Sequence, residues 1–186
     1  MSAPGAPLAR SERYLEELRR EFPSLRVVRK ADDGLSKLLD VLLRIGTLNQ
    51  QREYMTRYTT VIGTTIYTPS TWEERPDAER YVTLRHEAVH LRQARRMGQV
   101  AMSLRYGLWY LPVVLSWGRA QIEWEAYAET LRAMAEVHGL AYARSKPVRE
   151  HLVRQFTSAA YGWMWPFPAE VNRWIDEELA RIAARS

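Results

Sequence analysis

The sequence predicts a mainly α-helical domain with a small β-sheet, an α+β fold in which the sheet precedes a central helix. Three observations support this prediction. From residue 77 almost to the end of the chain, the apolar residues recur at helical spacing. Residues 54–67 are instead rich in Thr, Tyr, Val and Ile, whose side chains favour strands. The chain has 186 residues, of which 46% are hydrophobic and 26% charged, so it is long enough to bury a hydrophobic core.

The N-terminal part of the chain predicts a tail, a helix and a strand. Residues 1–10 are rich in Ala and Pro and are expected to form a flexible tail, followed by a single domain over 11–186. Ser11 is the expected N-cap of a first helix, which stops before Pro23. Residues 25–29 alternate briefly between apolar and polar side chains and predict a short strand.

Glycine and proline separate the elements that follow. Helical spacing over 35–45 predicts a second helix that ends at Gly46. Gly63 is expected to form a bulge or turn between two short strands, and Pro76 to mark the start of the central helix. The remaining pattern predicts helices at about 77–97, 100–111, 115–138, 147–160 and 168–184, and Gly98, Gly118, Gly139 and Pro147 punctuate this pattern.

The composition excludes several classes of site. Cysteine is absent, so the chain has no disulfide, no cysteine-ligated metal and no cysteine nucleophile. The net charge is +5, yet the basic residues are mixed with acidic ones, and no nucleic-acid partner is expected. Any metal ion must therefore be bound by His, Asp or Glu.

The sequence contains no predicted membrane span. Its longest apolar run, residues 107–117, is interrupted by Pro112 and is shorter than the ~20 residues that a transmembrane helix needs. The N-terminus lacks the apolar stretch of a signal peptide, so a soluble cytoplasmic protein is expected. A peripheral contact with a membrane surface remains an alternative, because aromatic residues cluster at Tyr106, Trp109, Tyr110 and Trp117.

The central helix carries a short motif that is typical of zinc enzymes. His86 and His90 are four residues apart, so their imidazoles lie on one face of a helix and can bind one Zn²⁺ ion. Glu87 lies between them, where it can take a proton from a water molecule on the metal. Four histidines occur in the chain, and two belong to this motif. The apolar residues around it predict a buried helix, which favours a zinc site over a solvated histidine pair.

A zinc site of this type needs a third protein ligand, and the next long predicted helix carries the best candidates. Three acids occur there close together, Glu123, Glu125 and Glu129. Glu123 shares a helix face with the small Ala126 and with Tyr127. Glu125 points about 200° away from Glu123 around the helix axis and is expected to pair with Arg132 or to face solvent.

Together these residues resemble the gluzincin branch of zinc metallopeptidases, in which an H-E-x-x-H motif is followed by a distant E-x-x-A helix. The segment from Glu123 to Tyr127 is similar to the E-x-x-A-D segment of the CAAX-prenyl endopeptidase and heat-shock membrane protease group, with Tyr127 in the place of Asp and without that group's transmembrane helices. The resemblance implies a zincin-like fold, in which the central helix packs on a second long helix. It also implies that one Zn²⁺ ion is held by His86, His90 and Glu123. Glu87 is then the general base.

The chain is also similar to small gluzincins, in which a strand ahead of the active-site helix pairs with extended substrate. The resemblance implies that this strand is formed by Thr64, Thr65, Ile66 and Tyr67.

Several other side chains are candidates for supporting roles. A donor to the developing oxyanion is expected among Tyr127, Arg119, His138, His151 and Tyr161. A histidine at a helix end, such as His138, is more often a partner of the helix C-terminus, and Arg119 could instead be an i,i+4 partner of Glu123. Gln93 lies three residues after His90, where it either hydrogen-bonds that ligand or faces solvent. The aromatic segment 161–168 packs in the core or lines a substrate cleft.

The sequence therefore predicts a zinc-dependent metallopeptidase, a hydrolase acting on a protein or peptide substrate. A second interpretation keeps the zinc but not the catalysis and makes the chain a scaffold or regulatory module. A third treats the motif as accidental and the chain as a basic nucleic-acid binder. Metal content separates the third from the other two.

Overall fold

The computed structural model describes residues 8–32, 59–98, 100–102, 116–158 and 164–185. Its elements are α1 (Arg10–Glu21), β1 (Arg26–Arg29), β2 (Thr60–Ile62), β3 (Thr65–Thr68), α2 (Asp77–Met97), α3 (Ser116–His138), α4 (Leu140–Ala143), α5 (Lys146–Thr157) and α6 (Pro168–Ala183), with 3₁₀ turns at Lys30–Asp32 and Trp72–Glu74. This mostly helical chain with a small mixed sheet confirms the α+β prediction at a coarse level. The helix predicted over 35–45, with Gly46, lies outside the described residues, as does most of the one predicted over 100–111.

The chain divides into two compact units, Met1–Ala88 and Val89–Ser186. The division falls inside α2, which is one uninterrupted helix of 21 residues. The first unit contains α1, the sheet and the beginning of α2. The second contains the end of α2 and the helices that follow it.

In the first unit, helix α1 begins at Arg10, so the predicted N-cap Ser11 lies inside the first turn. That prediction is wrong because other side chains accept hydrogen bonds from the first amides of the helix. The Glu12 carboxylate accepts from the Ala9 amide at 3.0 Å. The Asp77 carboxylate, at the start of α2, accepts from the Arg10 and Ser11 amides at 3.1 and 3.0 Å.

The sheet of the first unit has the strand order β1-β3-β2. β1 runs parallel to β3, and β2 runs antiparallel to it. Gly63 joins β2 to β3 with a φ of +62°, a left-handed conformation that glycine adopts without steric cost. The turn and the two short strands predicted around Gly63 are therefore confirmed.

The central position of β3 decides what this strand can bind. Thr64 lies in the turn before β3, and its carbonyl already accepts a hydrogen bond from the Arg26 amide at 3.0 Å. β1 occupies one edge of β3 and β2 occupies the other. The expectation that Thr64, Thr65, Ile66 and Tyr67 pair with extended substrate is wrong, because both edges of the strand are already hydrogen-bonded.

The second unit is built around an aromatic core. Trp124 of α3 lies 6.2 Å from Phe156 of α5 and 5.4 Å from Trp174 of α6, measured between ring centroids. The aromatic segment 161–168 contributes Trp165, whose ring lies 4.6 Å from that of Trp117. The buried side chains of this core are Ala120, Leu131, Ala143, Val148, Leu152, Phe156, Met164, Val171, Trp174, Ile175 and Leu179. For Met164 and Trp165, core packing is therefore confirmed.

Both ends of α3 match the helix that the sequence predicts over about 115–138. Gly139 follows the helix with a φ of +86°, as its predicted role requires. Gly118 lies inside α3, which begins at Ser116, and does not interrupt the helix. A glycine in a helix costs about 1 kcal/mol relative to alanine. The packing of α3 against the aromatic core offsets that cost.

Among the residues that the structure describes, no helix is both long and apolar enough to cross a membrane.

Candidate metal centre

Helix α2 supplies the first part of the candidate site. Its apolar side chains Val82, Leu84, Ala88 and Leu91 are buried, which fixes the orientation of the helix about its own axis. Acidic residues occupy its first turn and basic residues its last, as the helix dipole favours. Because His86 and His90 are four residues apart on this rigid element, their imidazoles lie on one face.

Helix α3 completes a possible ligand set. The structure brings together His86, His90 and Glu123, whose candidate ligand atoms all lie within 4.8 Å of one another. The Nε2 atom of His90 is 3.8 Å from a carboxylate oxygen of Glu123. Two ligand atoms bound to one tetrahedral zinc at 2.0–2.1 Å are about 3.3 Å apart. Side-chain movements of less than about 1 Å would therefore bring this pair to bonding geometry.

The charges of the site favour a cation. Glu87 and Glu123 are only 5% and 6% exposed, and His90 is 6% exposed. An ionised carboxylate is costly to bury unless it is paired or bound to a metal. A divalent cation bound by the two imidazoles and the Glu123 carboxylate would reduce that cost for Glu123, and this donor set fits Zn²⁺. The small Ala126, fully buried one turn after Glu123, adds little bulk to that side of α3.

Gln93 makes hydrogen bonds to both helices. Its Oε1 atom lies 2.9 Å from Nδ1 of His90. Its Nε2 atom donates to the Ile122 carbonyl at 2.9 Å and to the Glu125 carboxylate at 2.8 Å. Of the two alternatives that the sequence left open for Gln93, the structure places it against His90 rather than in solvent, since Gln93 is 1% exposed.

Glu125 has a different partner from the one expected. Arg96, in the last turn of α2, donates to both carboxylate oxygens of Glu125 at 2.9 and 3.0 Å. Arg132 instead binds Glu178 at 2.7 Å and Glu129 at 3.2 Å. Of the two alternatives for Glu125, the pairing with Arg132 is wrong because α2 brings a closer cation, whereas exposure to solvent agrees with its 48% exposed side chain.

Sequence reasoning missed the role of Arg96 and the Ile122 carbonyl. The signal for Arg96 was the spacing of His90, Gln93 and Arg96, three residues apart each time and therefore near one face of α2. No sequence signal identifies a backbone carbonyl such as that of Ile122.

Tyr127 points towards the core of the second unit. Its hydroxyl donates to Oε1 of Gln155 at 3.1 Å, and its ring packs 5.4 Å from that of Phe156. Gln155 in turn lies 3.2 Å from Nε2 of His151. The hydroxyl hydrogen of Tyr127 is thus already donated to Gln155. This hydrogen bond does not support the predicted role of Tyr127 as an oxyanion donor.

The other candidate oxyanion donors do not share one location in the structure. His138 is exposed at the last residue of α3, with its ring 4.6 Å from that of Tyr142. Fifteen residues of helix separate it from Glu123, about 22 Å along the axis, so the structure does not bring His138 to the cluster. Arg119 is half-buried one turn before Glu123. Tyr161 lies outside the described residues.

Comparisons with family models, curated proteins and solved structures find no match to this chain.

Proposed function

We propose that this chain is a zinc-dependent metallopeptidase that hydrolyses peptide bonds in a protein or peptide substrate. The observation that carries the proposal is the cluster of His86, His90 and Glu123, with their candidate ligand atoms within 4.8 Å. Glu87, which directly follows His86 in the motif, supports catalysis in addition to binding.

Each residue of the site has a distinct role in this proposal. His86, His90 and Glu123 would hold the ion, and a bound Zn²⁺ would supply Lewis acidity and lower the pKa of water towards about 7. Glu87 takes a proton from the attacking water and passes it to the leaving amine nitrogen.

The experiment combines metal analysis with one substitution. Purified protein reconstituted with Zn²⁺ should contain one equivalent of zinc and hydrolyse a mixture of fluorogenic peptides. Glu87→Gln should keep the zinc and lower turnover by about 10²- to 10⁴-fold, because only the proton acceptor is lost. Glu79→Gln, an exposed position on the same helix, is the matched control and should change neither.

Two outcomes contradict the proposal. Zinc content well below one equivalent after reconstitution would show that the cluster is not a zinc site. Turnover of Glu87→Gln at the wild-type rate would show that the hydrolysis comes from elsewhere.

A second candidate function is a zinc-binding scaffold or regulatory module without catalysis. The observation that favours it is the low exposure of His90, Glu123 and Glu87, since structural zinc sites are closed whereas catalytic sites keep an open position. The same experiment separates the two functions. A scaffold would bind one equivalent of zinc, lose thermal stability on chelation and hydrolyse none of the peptides.

A further inference from the structure

We propose that Gln93 and Glu125 form a positioning relay that holds His90 in one tautomer, with the proton on Nδ1 and the lone pair of Nε2 directed at the metal centre. The proposal rests on the metal site proposed above. In it, Glu125 of α3 acts through Gln93 to orient His90, a candidate ligand on α2. Neither Gln93 nor Glu125 touches the reacting atoms. Both are positioning residues.

The orientation of the Gln93 amide follows from its partners. Its Nε2 group faces the Ile122 carbonyl at 2.9 Å and the Glu125 carboxylate at 2.8 Å. Neither partner can donate a hydrogen bond, because a carbonyl and an ionised carboxylate are acceptors only. A flipped amide would place its oxygen against two other oxygens. The NH₂ group must therefore face Ile122 and Glu125.

The tautomer of His90 follows from the orientation of Gln93. With its NH₂ group directed at α3, Gln93 presents only Oε1 to His90, 2.9 Å from Nδ1. Since Oε1 is an acceptor, Nδ1 must carry the hydrogen. In the neutral ring the Nε2 atom is then unprotonated, and this is the atom 3.8 Å from the Glu123 carboxylate. The lone pair thus faces the other candidate ligand.

Glu125 is itself held in place from α2. Arg96 contacts both of its oxygens at 2.9 and 3.0 Å, and Glu125 remains 48% exposed. Glu125 lies two residues after Glu123 on α3. One helix therefore supplies a ligand directly and, through Gln93, supports a ligand on the other helix. The relay requires the two helices to keep one register.

The experiment reads the tautomer directly in the metal-free protein. Nitrogen NMR distinguishes a protonated from an unprotonated ring nitrogen, and His90 is assigned by comparison with a His90→Gln sample. In the wild type, at a pH at which the His90 ring is neutral, we expect a single tautomer, protonated on Nδ1. Gln93→Leu removes the acceptor at nearly constant volume, and a mixture of tautomers is expected. Glu125→Ala removes one of the two acceptors that hold the Gln93 NH₂ group and should shift the population in the same direction, but by less.

Zinc affinity gives the second measurement. We expect Gln93→Leu to weaken Zn²⁺ binding by about 10- to 100-fold, the usual effect of removing a hydrogen-bond partner of a ligand histidine. Glu125→Ala should weaken it by about 3- to 10-fold, because the Ile122 carbonyl still holds one amide hydrogen. Glu125→Gln keeps an acceptor for Gln93 and should restore most of the affinity and the Nδ1 tautomer.

A control variant and distinct contradicting outcomes allow the relay to be tested separately from the metal site. Gln121→Ala, an exposed glutamine of α3, should change neither readout. The Glu125 variants keep the test valid if Gln93→Leu fails to fold, since Glu125 is half-exposed. An Nε2-protonated His90 in the wild type, or a tautomer insensitive to both Gln93→Leu and Glu125→Ala, would overturn the relay. Wild-type protein that binds no zinc would instead contradict the proposed function, while the tautomer measurement would still decide the relay.

Discussion

Helices α2 and α3 contribute to the candidate metal centre in different ways. On α2 the residues of interest occupy one short stretch, in which His86, Glu87 and His90 fall within five positions. On α3 the candidate ligand Glu123 stands beside a second acid, Glu125, of different burial and partners. The geometry of the α2 residues is set by the helix itself. That of the α3 residues depends on how α3 packs against its neighbours.

This difference determines how each helix responds to substitution. A change at an α2 ligand removes a side chain carried by one continuous helix and leaves the packing of α3 in place, so its effect should fall mainly on metal binding. A change that disturbs the packing of α3 should affect both stability and the placement of Glu123. The four predictions below test this contrast, beginning with the largest effect.

Loss of an α2 ligand should abolish metal binding. His86→Ala and His90→Ala each leave two ligands, too few for a stable zinc site, and should also lose the stabilisation that bound zinc gives the folded state. Zinc content after reconstitution and the zinc-dependent rise in melting temperature measure both effects. His138→Ala on α3 is the control and should retain full zinc. Unchanged metal content in both ligand variants would refute the site.

The α3 ligand should be separable from its neighbour. Glu123→Ala should lower zinc affinity by several orders of magnitude, because the carboxylate nearest His90 is removed. Glu125→Ala should lower zinc affinity about tenfold at most, because Glu125 acts on the site only through Gln93. Competition titration with a chelator of known affinity measures both. If Glu125→Ala loses zinc as completely as Glu123→Ala, the assignment of Glu123 as ligand is wrong.

The same contrast explains how far the sequence could predict the site. The face shared by His86, His90 and Gln93 follows from helical spacing, so positions within α2 were predictable. The partner of Glu125 was predicted wrongly, because Arg96 reaches it from another helix and no spacing within α3 encodes that approach.

The fold, like the site, was predictable from the sequence only where its features are local. Short strands around Gly63 were predictable from composition, but their order was not, since the pairing of β1 with β3 joins segments far apart in sequence. The predicted cap at Ser11 failed for a related reason. Asp77, which accepts hydrogen bonds from the first amides of α1, lies 66 positions from Ser11 in the sequence.

Packing of α3 should dominate the stability of the second unit. Phe156 is fully buried and lies within ring contact of Trp124 and Tyr127 on α3. Phe156→Ala should lower the free energy of unfolding by about 3–5 kcal/mol, the usual cost of removing a buried phenylalanine. Denaturant unfolding measures it, with Phe167→Ala at a 46% exposed position as control. A cost for Phe156→Ala no larger than that of the control would show that the aromatic core does not hold α3.

The smallest effect is expected at the start of α2, where Asp77 accepts hydrogen bonds from the first amides of α1. Burial raises the pKa of the Asp77 carboxyl, but hydrogen bonds from the hydroxyl and amide of Ser11 and the amide of Arg10, with the charge of Arg80, outweigh burial and lower it. A lowered pKa means that the ionised form stabilises the folded state. This contribution is complete above the ordinary pKa near 4 and is lost as the pH falls through the lowered value.

Asp77→Ala should therefore cost about 1 kcal/mol at pH 7, the usual value for a helix cap. The difference between wild type and variant should shrink as the pH falls below 4, because the protonated Asp77 no longer attracts the helix N-terminus. Urea unfolding of both proteins at pH 7 and pH 3 measures it. The metal centre provides the contrast, since zinc content at pH 7 should be the same in both proteins. A cost that is equal at the two pH values would show that the charge of Asp77 does not stabilise α1, and loss of zinc would show that the start of α2 is coupled to its histidines.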